Sequence, residues 1–453
     1  MIRRSPLLLL PGLALLAAFA LLAGCATEAK KKTAEKPAPA VPKPVEKPEP
    51  KPEPPPEKLP RVMLGIDVLE AEGFKAIAGK RIGLLTHPAG VNRRGESTIN
   101  VLLRAPQSKL VALFAPEHGF DGQIKAGENF GDSKHIPTGL PIYSLHGKHR
   151  KPTKEQLKGL HALVIDLQDI GTRSYTFNVV MRYAMDACFE NGVEVIVLDR
   201  PNPLGGLKAD GPPLDAEWMS GVGAFRVPYV HGLTMGELAT MAKNAPRVLA
   251  VTEKQRENGR LTVVPMRGWT RSMRWPDTEL KWVPTSPYID SFEAVVGYAM
   301  VGLGCEQSGW TWGIGRNFYF RGIAFPKKKP DEIIVALDEF KIPGIRLVKR
   351  DGLDREGKTI TGVYVEVSDW NAWRPTELSF YMHKLAEKWS SQKVFASLTP
   401  EKQRSFQIHV GSTAWYEALK REGMRVDVGA FVKNWSDRAA IYQQNSRKYW
   451  LYQ

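Results

Sequence analysis

The stretch ALVIDLQDIGTR, residues 162–173, decides the fold. Its first six positions are apolar except for Asp166, and polar, charged and glycine residues follow at once. A strand exposed on one side would alternate apolar and polar residues, so a near-continuous run reads as a strand covered on both faces. Three similar runs lie around it: RIGLLT (81–86), KLVALFA (109–115) and VEVIVLD (193–199). Helical patterns separate them near 96–104, 153–160 and 175–190. Strands alternating with helices predict an α/β fold, a doubly wound parallel sheet of Rossmann-like layout. No Gly-x-Gly-x-x-Gly follows the first run, so no dinucleotide cofactor is expected.

In open α/β sheets, ligands bind beyond the carboxyl ends of the strands. Those ends carry THP (86–88), PEHGF (116–120), DLQDIGTR (166–173) and DRPNP (199–203). Carboxylates, imidazoles, an amide and guanidinium groups are thereby delivered to one rim. Further on, Thr234 with Glu237 forms a capping box opening a helix over 235–243. Trp-rich loops at 268–269, 274–275, 282–284 and 309–312 suit stacking on sugar faces or ordinary core packing. A strand is expected at 363–367 and helices from 414 to the end.

The chain has 453 residues with 43% hydrophobic content, which excludes global disorder and favours two domains. Three cysteines exclude a disulfide scaffold and a four-cysteine zinc site. The histidines are scattered and neither HExxH nor a serine nucleophile elbow occurs, so no metal or serine-hydrolase site is expected. Arg3 and Arg4 precede an apolar run over 7–22 that ends in Leu-Ala-Gly-Cys25. This is a secretory signal whose last four residues resemble a bacterial lipobox, with Cys25 as the lipidated residue. Residues 26–60 hold eleven prolines, eight Lys and six Glu, and read as an extended tether. Fully stretched, such a segment spans on the order of 100 Å. The expected location is outside the cytoplasm, anchored to a membrane by lipid, facing the periplasm from the outer membrane in a Gram-negative cell. The formal charge is +15, of which +11 remains after removing Arg3, Arg4 and the tether's net surplus of two Lys. A basic body suits a carboxylate-rich polymer, while the export signal disfavours nucleic acid.

Several ordered motifs carry a family resemblance: PEHGF (116–120), AGE (126–128), TGLPIYSLHG (138–147), DLQDIGTRSYTF (166–177), LDRPNPLGG (198–206) and VPYVHGLTMGELA (227–239). Together with RKYWLY (447–452), they resemble the NamZ-type exo-β-N-acetylmuramidases across about 62–453. The resemblance implies a Rossmann-like domain and a smaller α/β auxiliary domain, with the active site in the cleft between them. It implies removal of N-acetylmuramic acid from non-reducing ends of peptidoglycan fragments, without a cofactor. The expected division is 61–245 and 246–453, with the boundary somewhere in 205–310.

Glycoside hydrolysis usually needs two carboxyl groups, one of them protonated. Glu117 is the first candidate acid, beside His118 and with Phe120 expected to raise its pKa. Asp166 and Asp169 are candidate partners, or loop carboxylates held by Arg173 or by backbone amides. Arg173 is the candidate clamp for a lactyl carboxylate. Tyr175, Asn202, His231 and Glu306 complete the expected substrate contacts. Asn202 reads equally as a turn residue and His231 as a packed histidine. The chain departs from the family where Glu-Gly-Thr-Asn and Ser-Glu-Gly-Arg-Gly-Thr are usual. Glu306 is kept, but Trp312 and Ile314 replace the second glutamate and the arginine. Pro-Ser-Pro-Asn-Met becomes Thr285-Ser286-Pro287-Tyr288-Ile289. These changes leave open an alternative, a catalytically impaired wall-binding lipoprotein of the same fold.

Overall fold

The computed structural model describes residues 61–453. The signal, Cys25 and the Pro-rich tether therefore lie outside the described residues. The four expected strands form as β1 (Arg81–Thr86), β2 (Lys109–Ala115), β5 (Ala162–Asp166) and β6 (Glu194–Leu198). Three more join them: β3 (Ser133–Lys134), β4 (Pro141–Ser144) and β7 (Leu261–Val264). The sheet order is β3-β4-β2-β1-β5-β6-β7, and every pairing is parallel except β3 with β4. Counting only the six parallel strands in chain order gives 3-2-1-4-5-6, the doubly wound order with its reversal between β1 and β5. β7 extends this sheet beyond residue 245.

Alternation within each strand supplies two separate cores, one on each face of the sheet. Leu163 and Ile165 pack with Phe114, Val195, Val197 and the helix Thr176–Glu190 on one side. Ala162 and Val164 pack with Ile82, Leu84, Leu113 and Ile196 on the other, covered by Ile66 and Ile99. The helix Met235–Asn244 begins where its capping box places it: the Thr234 hydroxyl accepts from Glu237 N–H, and the Glu237 carboxylate accepts from Thr234 N–H.

The second part is built on a small antiparallel sheet, β8 (Gly322–Ile323), β10 (Thr359–Val367) and β9 (Ile345–Leu353) in that spatial order. The helix Pro330–Asp338 packs on it, and the helices Phe292–Cys305 and Glu377–Trp389 pack on each other, followed by Pro400–Val410, Thr413–Glu422 and Val428–Ser446. The Trp-rich loops mostly feed the cores. Trp269, Trp275 and Trp310 are buried, so of the two uses left open for these loops core packing holds for these three. Of the residues in these loops, Trp312 is the tryptophan that lines the principal cleft.

Candidate active site

A cavity of about 550 Å³ lies between the two parts. From the large-sheet side it is lined by Glu117, His118 and Ser174–Thr176, and from the other side by Tyr298, Glu306, Trp312 and His409. Glu117 is placed by the end of β2. Pro116 has no N–H for a ladder, and His118 (φ 74°) and Gly119 (φ 78°) follow in left-handed conformations. The chain therefore turns sharply. A Cβ on Gly119 would come within 2.7 Å of the Ile124 side chain, so the turn demands glycine. His118 is pinned by Nδ1 against the Ile124 carbonyl at 2.9 Å.

The two glutamates of this cavity meet opposite surroundings. Burial raises the pKa of Glu117, but the Gly127 N–H at 2.8 Å, the Thr176 hydroxyl and the nearby His146 and His118 outweigh it. The net shift is downward, which corrects the expectation that Phe120 would raise it. Thr176 also opens the helix Thr176–Glu190, whose positive N-terminal end favours an anion there. Glu306 follows the helix Phe292–Cys305 directly, at its negative end. Burial pushes its pKa up and His409, 3.8 Å away, offsets only part of this. His409 commits Nδ1 to the Ser405 carbonyl at 2.8 Å. One carboxyl is thus held ionised and the other is driven towards its protonated form, within one cavity. Titratable pairs split in this manner are the signature of acid and base roles.

Tyr175 and Tyr298 line the same cavity. Tyr175 donates to the Thr285 hydroxyl at 2.7 Å, and Tyr298 donates to the Ser174 carbonyl at 2.9 Å. Burial raises Tyr298 to about 12, and both glutamates add to that shift. His146 lies in the TGLPIYSLHG stretch, where no local signal marks it as a site residue. It is buried, its Nε2 lies 3.7 Å from Glu117 Oε1, and burial lowers its pKa while the Glu117 charge opposes that shift.

Five expected site residues do not reach the cavity. Asp166 is fully buried, accepting from Arg200 Nη2 at 2.8 Å and from the Thr98 hydroxyl. It closes the sheet's reversal point with an internal ion pair. Asp169 accepts from Gly171 N–H at 3.0 Å and Asn178 Nδ2 at 3.3 Å, with His231 Nε2 3.3 Å away. His231 accepts from Leu233 N–H through Nδ1, so the pair braces two loops beneath the cleft. Asn202 donates to the Leu233 carbonyl and accepts from Leu204 N–H, a turn role. Arg173 is 1% exposed and donates only to carbonyls, those of Pro212, Val227, His409 and Val410. Its expected role as a carboxylate clamp is therefore corrected to an internal tie. Among the described residues no group of three or more His, Cys, Asp or Glu side chains is placed to hold a metal.

A doubly wound α/β sheet and a second, antiparallel part meet over a cavity with two oppositely tuned glutamates, an arrangement suited to acid–base chemistry at a glycosidic bond. The chain belongs to the exo-β-N-acetylmuramidase NamZ family: the N-terminal family model matches residues 82–293 and the C-terminal model matches 296–452. It is 42% identical over 288 residues to the peptidoglycan β-N-acetylmuramidase NamZ of Bacillus subtilis (strain 168), covering 64% of this chain and 67% of that one. Two DUF1343 family crystal structures from Bacteroides fragilis NCTC 9343 share the fold. The first has a TM-score of 0.78 at 35% identity, covering 87% of this chain and 99% of its own. The second has a TM-score of 0.66 at 26% identity, covering 86% and 99%. These matches give the wall-binding alternative no support.

Proposed function

We propose that this chain is an exo-acting glycosidase that releases N-acetylmuramic acid from the non-reducing ends of peptidoglycan fragments. The observation that carries the reading is the split pair, Glu117 held ionised and Glu306 held towards the protonated form. Glu306 gives its proton to the glycosidic oxygen as the bond to the anomeric carbon breaks. Glu117 stabilises the positive charge that develops on the sugar ring, and a water attacks the anomeric carbon, its proton passing to the Glu306 carboxylate and restoring the acid. This assigns the acid to Glu306 rather than to Glu117. The kinship to the Bacillus subtilis enzyme supports the choice of substrate. The basic body suits a polymer bearing carboxylates.

The test is a pair of variants on two substrates. Glu306→Gln should lower turnover on natural muropeptides by roughly 10²–10⁴-fold, and much less on an aryl muramide whose leaving group needs no proton. Glu117→Gln should damage both. Near-normal muropeptide turnover by Glu306→Gln would remove it from the acid role. The Leu-Ala-Gly-Cys25 sequence supports a lipid-anchored, exported enzyme; loss of detergent-phase partitioning in Cys25→Ala tests this.

A further inference from the structure

A second cavity, about 740 Å³, opens on the auxiliary part and has no place in the chemistry just described. It shares Tyr288 and Trp312 with the active-site cavity, so these two rings form the partition between the spaces. They meet edge to face at 4.9 Å, and Tyr319 meets Tyr288 at 5.0 Å. Phe320 stacks on Trp312 at 4.8 Å with planes 13° apart and holds the indole in place. The floor is Ile314, which is buried because Gly322, Gly352 and Gly362 leave room for it. At the outer end stand Arg316 and Arg355, both exposed. Arg316 donates to the Arg355 carbonyl at 2.8 Å. The nearby Asp354 carboxylate is taken by the backbone N–H groups of Glu356 and Lys358.

We infer that this cavity is a subsite for the leaving part of the glycan, with aromatic faces for its sugar rings and the two arginines for its carboxylates. The inference rests on the proposed glycosidase reading and extends it to the far side of the scissile bond. Two arguments carry it. First, an acid must stand on the side of the leaving oxygen, and Glu306 belongs to the same short segment as Trp312. The leaving chain therefore departs past Trp312 and Tyr288, into this cavity. Second, the lining matches the ligand's chemistry. Apolar sugar faces pack on aromatic rings, and the planar fork of arginine pairs with carboxylates. Peptidoglycan offers both, the carboxylates lying on its lactyl groups and stem peptides. The hollow on the opposite side of Glu117 is about 180 Å³ and has no comparable aromatic wall.

The experiment compares kcat/KM for an aryl β-N-acetylmuramide, which has no leaving glycan, with that for a peptide-bearing muramyl oligosaccharide. In the double variant Arg316→Gln with Arg355→Gln, the ratio of oligosaccharide to aryl efficiency should fall about tenfold, one lost charge-assisted contact being worth about that factor. The wild-type preference should also shrink in high salt, because both arginines are exposed. Tyr319→Ala should lower the ratio for oligosaccharides with and without peptide alike. An unchanged ratio in both variants overturns the subsite. Binding of the peptide-bearing oligosaccharide, followed by tryptophan fluorescence, is a readout independent of turnover. If the wild type cleaves neither substrate, the glycosidase reading fails. Fluorescence binding weakened by the double variant would still support the cavity, and unweakened binding would overturn it.

Discussion

Arg173→Lys tests whether a buried guanidinium is a structural tie or a substrate clamp. Arg173 leaves the loop after β5 and donates Nη1 to Pro212 O at 2.6 Å and Val227 O at 3.0 Å. Its Nη2 donates to His409 O at 3.2 Å and Val410 O at 2.8 Å. The side chain thus fastens two loops of the first part to the end of the helix Pro400–Val410. Burial lowers its pKa, and the surrounding carbonyls, the Tyr229 ring at 5.6 Å and the charge of Asp215 stand against that. A lysine ammonium has three donors on one atom and a stronger hold on water, so it cannot span the four carbonyls. Leaving a buried charge poorly matched costs about 3–5 kcal/mol, a large share of an ordinary stability margin of about 5–15 kcal/mol. The melting temperature should fall by about 10 °C, at roughly 2–4 °C per kcal/mol. Calorimetry checks this, alongside kinetics on an aryl muramide and on a glucosaminide lacking the lactyl group. Well below the transition both activities should change in equal proportion. A variant that melts like the wild type and loses only the muramide would refute the reasoning.

The remaining expectations follow from the same geometry. The rate against pH should have an alkaline limb set by Glu306, because its raised pKa loses the catalytic proton as pH rises, and an acid limb set by Glu117 below the ordinary glutamate range. Glu306→Gln should remove the alkaline limb, and an unchanged profile would sink the assignment. Asp166→Asn should cost about 3–5 kcal/mol in urea melts by stranding Arg200, without a substrate-specific effect. Burial raises Asp199 from 3.8 to about 6, against donors from Tyr452, Gly236 and Thr234. The folded pKa lies above the unfolded one, so this contribution is full below the unfolded value and lost as pH rises through about 6. Stability of Asp199→Asn should lack that decline, as melts across this range would reveal. Gly362→Ala places a Cβ 2.8 Å from the Ile314 side chain and should cost about 1–3 kcal/mol, part of it recovered by Ile314→Ala.

Much of the fold was legible because the information is local. The runs at 81–86, 109–115, 162–167 and 193–199 are too apolar to be half-exposed, and four strands of the sheet follow from them. Thr234 and Glu237 mark a helix start through two hydrogen bonds three residues apart. β3 and β7 are short or half-exposed edge strands, and their sequences carry no comparable signal. Within the site, Glu117 and Glu306 were reachable from sequence. One ends a strand beside His118, and the other is a retained family glutamate. Tyr298 and His409 had no local mark, since each meets the cleft only after distant helices pack.

The sequence by itself determined which charged residues stand at strand ends. It could not determine which of them face outward, because direction depends on what packs over each end. Asp166, Asp169, Arg173 and Asn202 share the rim motifs with Glu117, and His231 lies in the later VPYVHG stretch, yet neighbouring carbonyls, amides and an arginine enclose all five. The protonation of the two glutamates was also decided in three dimensions. A carboxyl responds to its solvent exposure, its donors and the nearest helix end. The Thr176 end meets Glu117 across 59 residues of chain, while Glu306 sits at the opposite pole of another helix. Sequence supplied two like side chains, and tertiary packing made them chemically different.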